Sequence, residues 1–489
     1  MYVQYAFEGL YLMDSASKVA RNSGMLLAGK LFSKFFGLFT TVLLARHLGV
    51  VDFGSYSVIL ALSAFFLFAN DFGVAFVLVR NLSRDEKDAE KLLGNAFSLK
   101  FFLSIFSMLL VVISAFALGY SIDFIIILSA YSFTMISGSL FSIFSSVFQY
   151  KQEMQHIVMV EFLYGALTLA VTFAIAYSGG GLWHFIVAYA AITYISLVQG
   201  WLYSRKLARI RPLFDLKQWK FLLSIGWPFA LSVLFTALYN RVDVVMLSRL
   251  VDDAAVGYYS AGFRLTESLS IIPASLIIAL FPMMSKYFRD SKESLKKAIS
   301  LSFRFILVLF VPVAFGTMLL SERILAIFYG AEYANTSAGL SLGILSFAAL
   351  FIFINMLLIN VMNSINREKT ALWIILGGVF LNAGLNLFII PQFGFAGAAA
   401  TTLITEIGVF SLFRFIIGKD LYKIELGHFI RPAIAAVAMS AFVLYFFPAN
   451  IFLIVPAAAA IYFALLFIIG GITKDDIALA LKLSGMRAK

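Results

Sequence analysis

Two lysines lie one helical turn apart inside a long apolar stretch near the start of the chain. The stretch, residues 26–49, reads LLAGKLFSKFFGLFTTVLLARHLG, and the lysines are Lys30 and Lys34. Their i, i+4 spacing puts both ammonium groups on one stripe of a helix, where like charges repel. A bound anion would relieve that repulsion, so the pair favours an anion site. The alternative is that both side chains reach back to the lipid headgroups.

A second polar group, YNRVD (239–243), lies within a later apolar stretch. Arg241 and Asp243 are two residues apart and do not face each other on a helix. Asp243 can instead join Asn382 and Asn386, which are themselves i, i+4. Carboxylate and amide oxygens suit a small hard cation such as Na⁺, or the carboxylate can take up a proton. The alternative is that these residues form hydrogen bonds that only hold the helices together, and the sequence alone favours neither interpretation.

Membrane-spanning helices must position these residues. The chain has 489 residues, of which 62% are hydrophobic and 13% charged, and a soluble protein could not bury that much apolar surface. The apolar runs lack the alternation of a transmembrane β-barrel. They predict an all-α polytopic membrane protein with about fourteen transmembrane helices. Predicted spans one and two cover 24–45 and 55–79, and spans eleven and twelve cover 368–390 and 395–417.

The net charge of +11 does not indicate nucleic-acid binding. Most of the 37 Lys and Arg lie in alternate loops and the two tails, a pattern that predicts both termini in the cytoplasm and a multi-pass protein of the plasma membrane. There is no cysteine, no HExxH spacing and no GxxxxGK[ST] motif. The sequence therefore predicts neither an enzyme nor a protein driven directly by ATP.

An internal repeat relates the two halves of the chain. Residues 31–57 align without gaps on 234–260 at a constant offset of 203. Identical pairs include Arg46/Arg249, Gly54/Gly257 and Tyr56/Tyr259. Six spans separate the partners, so the halves have the same orientation, as in transporters built from parallel repeats. The predicted organisation is an interfacial segment (1–23), a six-helix lobe (24–210), a second six-helix lobe (211–420), and two further helices with a cytoplasmic tail (421–489).

Four more charged residues lie inside predicted spans. Lys100 and Arg304 are close to predicted cytoplasmic ends, so we expect them to reach the headgroups. Arg264 and Glu267 are i, i+3 and can pair with each other. Alternatively, Arg264 joins the lysine pair of the other half in a cationic lumen.

The order of four motifs resembles one family over about residues 20–470: the polysaccharide-transport branch of the multidrug/oligosaccharidyl-lipid/polysaccharide (MOP) exporter superfamily. The motifs are ARHLGVVDFGSYSVILAL (45–62), DFG (71–73), YNRVDVVMLSRL (239–250) and LNAGLNLFIIPQFGFAGAAATTLITE (381–406). The resemblance implies two six-helix lobes, with two more helices bordering a groove for a lipid tail. It also implies movement of a polyprenyl-(pyro)phosphate-linked oligosaccharide across the cytoplasmic membrane by alternating access.

The resemblance also implies roles for particular residues. In related lipid II flippases, basic residues of spans one, two and eight line the cavity, and Lys30, Lys34 and Arg264 are the nearest matches. Span two offers Asp71 in place of a base, and Arg241 completes the predicted lumen. The same relatives bind Na⁺ through an aspartate of span seven and polar groups of spans eleven and twelve. The matching residues are Asp243, Asn382, Asn386 and Thr402, and the amide at 386 in place of an acid leaves H⁺ open as the coupling ion.

The predicted function is therefore a cation-coupled flippase for a lipid-linked oligosaccharide, with no cofactor other than Na⁺ or H⁺. Its expected partners are that substrate, membrane lipids, a glycan polymerase and glycosyltransferases. The alternatives are a lipid II-type flippase, a multidrug or cation antiporter of the same superfamily, and a non-transporting scaffold for glycan-assembly enzymes. The lysines of span one argue against the antiporter, which should have an acidic first lobe. The scaffold predicts that charge reversal in the lumen is harmless.

Overall fold

The computed structural model describes residues 2–84, 88–420, 425 and 427–472; the side chains of residues 2–23, 26–28, 30, 279 and 420 lie outside this description. Within the described residues the chain forms fifteen α-helices and one 3₁₀ helix, Ala331–Tyr333. The α-helices are α1 (Tyr2–Phe65), α2 (Leu67–Asp71), α3 (Val74–Leu82), α4 (Ala89–Ala117), α5 (Ile122–Tyr150), α6 (Met154–Tyr177), α7 (Leu182–Ser204), α8 (Leu216–Leu250), α9 (Asp253–Ser268), α10 (Ile271–Asp290), α11 (Lys292–Tyr329), α12 (Thr336–Ser364), α13 (Glu368–Asp420), α14 (Gly427–Tyr445) and α15 (Ile451–Ile468).

Among the described residues, 12 helical stretches are long and apolar enough to cross a membrane. The prediction of an all-α, multi-pass membrane protein is confirmed, whereas the count of fourteen spans stays a prediction. Two long helices contain a glycine with non-helical backbone angles, Gly49 (φ 74°) in α1 and Gly394 (φ 57°) in α13. Glycine tolerates these angles because it has no Cβ. Both lie where the sequence predicts a connection between two spans.

The chain divides into two compact units. The first unit comprises residues 1–48 and 55–241, and the second comprises residues 49–54 and 242–489. In the first unit, Val77, Leu93, Ile143 and Leu222 belong to one buried apolar cluster. In the second unit, a larger cluster includes Phe303, Phe353, Phe413 and Tyr462. The lobe boundaries at 210 and 420 stay predictions.

Helix interruptions occur at matching places in the two repeats. Helix α1 ends at Phe65 and α9 ends at Ser268, and these residues are separated by the repeat offset of 203. The next helices begin at Leu67 and Ile271. The second predicted span (55–79) and the eighth (256–282) are therefore both discontinuous. Discontinuous helices at corresponding positions of two halves are typical of transporter binding regions.

Within the second unit, residues 49–54 pack closely against the start of α9. A Cβ atom on Gly54 would lie 1.7 Å from the Asp253 carbonyl oxygen, and one on Gly257 would lie 2.1 Å from the Val50 carbonyl oxygen. Gly54 and Gly257 are repeat partners, and so are Val50 and Asp253. The two close approaches are thus equivalent by the repeat. The Val50 amide also donates to Glu332 Oε1 at 3.3 Å.

Phe53 secures the same segment. Its side chain is fully buried, with its ring centroid 6.3 Å from those of both Tyr329 and Tyr333. Burial raises the pKa of the Tyr333 phenol above its usual range, and the neighbouring Glu332 carboxylate adds to this. Tyr333 therefore remains a neutral packing partner at physiological pH.

Candidate functional site

A second interruption in the first unit, between α2 and α3, brings Asp71 to the end of α2. Phe72 (φ 47°) and Gly73 (φ 74°) adopt left-handed angles between α2 and α3. A Cβ on Gly73 would lie 2.4 Å from the Gly226 carbonyl oxygen of α8, so only glycine fits between the two backbones. The break ends α2 at Asp71 and leaves its side chain about one-third exposed.

Lys100 of α4 forms an ion pair with Asp71. The ammonium group donates to Asp71 Oδ1 and to Ser142 Oγ of α5, and the Lys100 side chain is completely buried. The expectation that Lys100 reaches the headgroups is therefore wrong. A lone ammonium at this position would be costly, whereas the carboxylate of the interrupted span supplies its charge partner.

Further polar contacts support this pair. Ser139 Oγ of α5 donates to the Asn70 carbonyl oxygen at 3.0 Å, and Asn70 Nδ2 donates to the Met135 carbonyl oxygen at 3.1 Å. The first of these bonds satisfies a backbone carbonyl at the end of α2, next to the interruption, and the second ties α2 to the middle of α5. Asp71 is thus part of the internal structure of the first unit, in addition to any contact it makes with substrate.

The lysine segment of α1 has an acidic neighbour. Lys34 is exposed, and Lys30 belongs to α1 with a side chain outside the described residues. A Cβ on Gly29, the residue before Lys30, would lie 3.3 Å from Glu161 Oε2 of α6. Sequence reasoning missed Glu161, whose apolar surroundings in span five gave it no partner at a recognisable spacing. The Glu161 carboxylate therefore lies beside the backbone of the lysine segment at Gly29, within the first unit.

Asp243 lies in a polar network of the second unit. Its side chain is 5% exposed; Oδ2 accepts from the Tyr259 hydroxyl of α9, and Oδ1 accepts from the Val244 amide at 2.8 Å. The Tyr259 oxygen lies 3.3 Å from Thr402 Oγ1 of α13. The structure thus brings two of the predicted ion-coupling residues to one tyrosine.

The predicted amides, Asn382 and Asn386, lie on the part of α13 that precedes the kink at Gly394. Asn386 Nδ2 donates to Asn382 Oδ1 at 2.9 Å, and Asn382 Nδ2 donates to Thr405 Oγ1 at 3.4 Å. Thr402 and Thr405 are one turn apart, so these bonds join both pairs of predicted residues into one region. Asn386 is fully buried. Among the described residues its Oδ1 has no hydrogen-bond partner.

A second acid, Glu406, lies next to this region. It is 3% exposed, and its Oε2 accepts from Asn355 Nδ2 of α12 at 2.7 Å. Glu406 is the last residue of the fourth sequence motif, and the sequence analysis gave it no role. Tyr259 was also missed, although its identity with Tyr56 in the repeat was a usable signal.

The remaining members of the predicted lumen occupy separate environments. Arg264 Nη1 donates to Glu267 Oε2 at 3.2 Å, which confirms the local i, i+3 pair. Arg241 is half-buried on α8, two residues before Asp243. The assignment of Lys30, Lys34, Asp71, Arg241 and Arg264 to a common lumen stays a prediction.

Two protein-family models match large parts of the chain. Residues 19–288 match the model described as polysaccharide biosynthesis protein. Residues 227–471 match the model described as lipid II flippase MurJ. Together the two matches extend from the first predicted span to the end of α15.

Several curated proteins are similar to this chain. The probable low-salt glycan biosynthesis flippase Agl15 of Haloferax volcanii is 25% identical over 196 residues, which cover 40% of this chain and 39% of that protein. The probable flippase AglR of the same organism is 24% identical over 407 residues, covering 80% and 81%. The putative O-antigen transporter of Shigella flexneri is 26% identical over 188 residues, covering 38% and 44%. Except for AglR, these matches thus span less than half of each relative.

Solved structures share the fold at low sequence identity. An inward closed conformation of the lipid II flippase MurJ has a TM-score of 0.73 and 15% identity, covering 91% of this chain and 98% of that one. An inward-facing multidrug resistance MATE family transporter of the MOP superfamily has a TM-score of 0.61 and 14% identity, covering 79% and 95%. These matches agree with the predicted all-α, multi-span fold.

Proposed function

This chain belongs to the polysaccharide biosynthesis protein family of the MOP exporter superfamily, and from that premise we propose that it is a flippase for a lipid-linked oligosaccharide. The family assignment confirms the resemblance in the four sequence motifs. The relatives are named as flippases and transporters, in agreement with the prediction that the chain is not an enzyme. The proposed cargo is a glycan carried on a polyprenyl phosphate or pyrophosphate.

The paired interruption of α1 and α9 is the structural observation that carries this proposal. Repeat-related helices that break at the same position give each half a hinge and a polar mid-membrane region, as alternating access requires. Asp71, which pairs with Lys100, lies six residues after the break in the first half. The break in the second half follows Arg264 and Glu267. Charged side chains therefore lie near both breaks, as we propose for a path that a sugar headgroup crosses.

Basic residues on the two halves are the proposed ligands of the substrate phosphate. Lys30, Lys34 and Arg264 would donate charge-assisted hydrogen bonds to phosphate oxygens, while the prenyl tail stays in lipid. Arg241 would add a further guanidinium group. We propose a smaller part for Asp71, because its carboxylate already accepts from Lys100.

The residues around Asp243 fit a small coupling cation. The Asp243 carboxylate, the Thr402 hydroxyl and the Asn386 carbonyl oxygen are hard oxygen ligands, and the last of these is buried without a hydrogen-bond partner among the described residues. Asn382 would orient Asn386 through their mutual hydrogen bond. A bound Na⁺ would supply positive charge to this region. If H⁺ is the coupling ion instead, Asp243 would accept it while Tyr259 holds the carboxylate in place.

Charge reversal at Lys34 tests the function. We expect Lys34→Glu to reduce glycan export at least about tenfold, because a carboxylate repels the substrate phosphate. Export is measured by complementation of a deletion strain, with protein abundance measured in parallel. The control is Lys292→Glu at the start of α11, where an acidic residue suits the helix N-terminus. Normal export by Lys34→Glu at normal abundance would contradict the phosphate site and favour the scaffold.

A lipid II flippase is the second candidate, favoured by the family match over residues 227–471. The two candidates differ in the sugar lipid that builds up when transport stops. Mass spectrometry of lipid extracts from a deletion strain decides between them. Accumulation of a lipid-linked oligosaccharide supports the leading proposal, and accumulation of the peptidoglycan precursor supports the second.

A further inference from the structure

A cavity lined by basic residues lies in the second unit, at neighbouring ends of α11, α14 and α15. Its empty volume is about 720 Å³ including its open mouth, and Arg304, His428 and Arg431 are among the lining residues. Arg304 lies four residues inside the ninth predicted span, 300–320, and Arg431 lies four residues inside α14. The sequence therefore predicts both arginines near the lipid headgroups on the cytoplasmic side of the membrane. Neither the proposed substrate site nor the proposed ion site uses these residues.

Neighbouring helices hold the basic side chains in place. Arg431 Nη1 donates to the Gly470 carbonyl oxygen at the end of α15, which leaves further N–H donors on the same guanidinium group. His428 Nε2 lies 3.4 Å from Ser300 Oγ of α11, and its ring packs against Phe303. Residues from three helices therefore form one cationic recess.

The charges around the recess favour an anion with one negative charge. Among the described residues that line the cavity, Arg304 and Arg431 contribute two positive charges and Glu425 contributes one negative charge. Arginine forks match the oxygen geometry of a phosphate group. A phosphodiester carries one negative charge at neutral pH, so it balances the recess better than a dianionic phosphate does. The shared ligand chemistry is thus a phosphate group.

Exposed apolar side chains continue from the recess along α14 and α15. Ile430 and Ile434 are 60% and 56% exposed, and Phe467 and Ile468 are 68% and 76% exposed. On membrane-spanning helices such side chains contact acyl chains. A cationic recess at headgroup depth beside an acyl-chain surface matches the two ends of a phospholipid. We propose that this cavity binds the phosphodiester headgroup of an anionic membrane lipid.

The test uses the full-length protein and lipids with identical acyl chains. The purified protein is incubated with phosphatidylglycerol or phosphatidylcholine, and the bound lipids are counted by native mass spectrometry. We expect the wild-type protein to retain phosphatidylglycerol with a preference of about fivefold or more for each basic residue engaged. Equal retention of the two lipids by the wild-type protein would overturn the proposal.

Substitution of the arginines locates the site. We expect Arg304→Gln combined with Arg431→Gln to bring the preference close to one. Arg304→Gln alone keeps the Arg431–Gly470 bond and should lower the preference about fivefold. The control is Arg323→Gln, at the opposite end of α11, where Arg323 stacks on Phe447 and donates to the Ala449 carbonyl oxygen. A preference unchanged by the Arg304 substitution, or lost equally in the control, would overturn the proposal.

Competition distinguishes a lipid from a soluble phosphate and needs only the wild-type protein. Inorganic phosphate or glycerol 3-phosphate at millimolar concentration is added to the phosphatidylglycerol complex. Retention of the lipid supports the lipid assignment, because the acyl chains add contacts that the soluble ligands lack. Full displacement would assign the recess to a soluble phosphate compound and overturn it.

Discussion

Each compact unit holds one aspartate of the predicted site, Asp71 or Asp243, by different chemistry. In the first unit, Asp71 accepts from the ammonium group of Lys100. In the second unit, Asp243 accepts from the Tyr259 hydroxyl and the Val244 amide, with Thr402 within reach of the same tyrosine. An ammonium group is a permanent part of the protein, whereas a cluster of carboxylate, hydroxyl and amide oxygens suits an exchangeable cation. A duplicated scaffold can therefore place structural charge in one half and proposed coupling chemistry in the other.

Lys100, in the third predicted span, and Arg304, in the ninth, show a similar contrast between the two units. Sequence reasoning treated Lys100 and Arg304 alike, as side chains that reach the headgroups. Lys100 is completely buried in the first unit, whereas Arg304 lines an open cavity beside α14. The first half has no counterpart of α14 and α15. Helices α14 and α15 therefore create a surface recess around Arg304. In the first unit, Lys100 lies instead in an internal ion pair with Asp71.

The largest expected effect comes from breaking the ion pair of the first unit. Asp71→Asn leaves the fully buried Lys100 without its carboxylate, and we expect a loss of stability of about 3–5 kcal/mol. Thermal unfolding of the purified protein and its abundance in membranes measure this loss. The double variant Asp71→Asn with Lys100→Met removes both charges and should recover most of it. A fully stable single variant would show that the pair is not structural.

Removal of the Asp243 carboxylate should instead abolish the stabilisation of the protein by Na⁺. At a Na⁺ concentration one hundred times Kd, a bound ion stabilises the protein by about 2.7 kcal/mol, and we expect Asp243→Asn to lose this stabilisation. The measurement compares unfolding in sodium chloride and in choline chloride. Asp71→Asn with Lys100→Met serves as the control and should keep the response. An unchanged sodium response in Asp243→Asn would contradict the assignment.

The tyrosine that holds Asp243 should contribute less. Tyr259→Phe removes a hydrogen bond to a charged group, which typically contributes about 1.5–3 kcal/mol. We expect lower stability together with weaker cation stabilisation. The matched control is Tyr258→Phe at the neighbouring position, where the ring packs against Phe395. Equal losses in the two variants would indicate a general packing effect.

The smallest expected effect is a gain in Na⁺ affinity. Asn386→Asp adds a second carboxylate at a fully buried oxygen site, where relatives are expected to have an acid. We expect about tenfold tighter Na⁺ binding, or about 1.4 kcal/mol, with lower stability when sodium is absent. Titration of the unfolding temperature with sodium chloride measures both changes. A variant destabilised equally at all sodium concentrations would place Asn386 outside the ion site.

The sequence predicted the fold well because membrane spans and repeats are local or periodic signals. Apolar runs identified the helices, and the offset of 203 matched the paired interruptions after Phe65 and Ser268. Asp243, Asn382, Asn386 and Thr402 were also identified in advance, since polar residues at this depth are rare. Hydrogen bonds place Asp243 and Thr402 at Tyr259 and Asn382 at Thr405, while the role of these residues in ion coupling stays a prediction.

Partners that depend on tertiary packing could not be predicted in this way. Lys100 and Asp71 are separated by 29 residues, and no helical spacing relates them. Their pairing depends on the break after α2. In the sequence, only the short DFG motif (71–73) indicates that break. Glu161 escaped notice for the same reason, because its neighbour Gly29 has no side chain to suggest a contact. The recess around Arg304 required knowledge of where α14 and α15 pack.

The reciprocal approach of Gly54 and Gly257 has a consequence for the origin of the chain. Each glycine meets the carbonyl oxygen of the residue four positions before its repeat partner. Equivalent residues meet in this reciprocal way across the two-fold axis of a homodimer. Such symmetry is expected if the ancestor was a pair of identical half-length subunits that met at this corner before their genes joined. Its trace in the present protein is that alanine at either glycine should carry the same steric penalty.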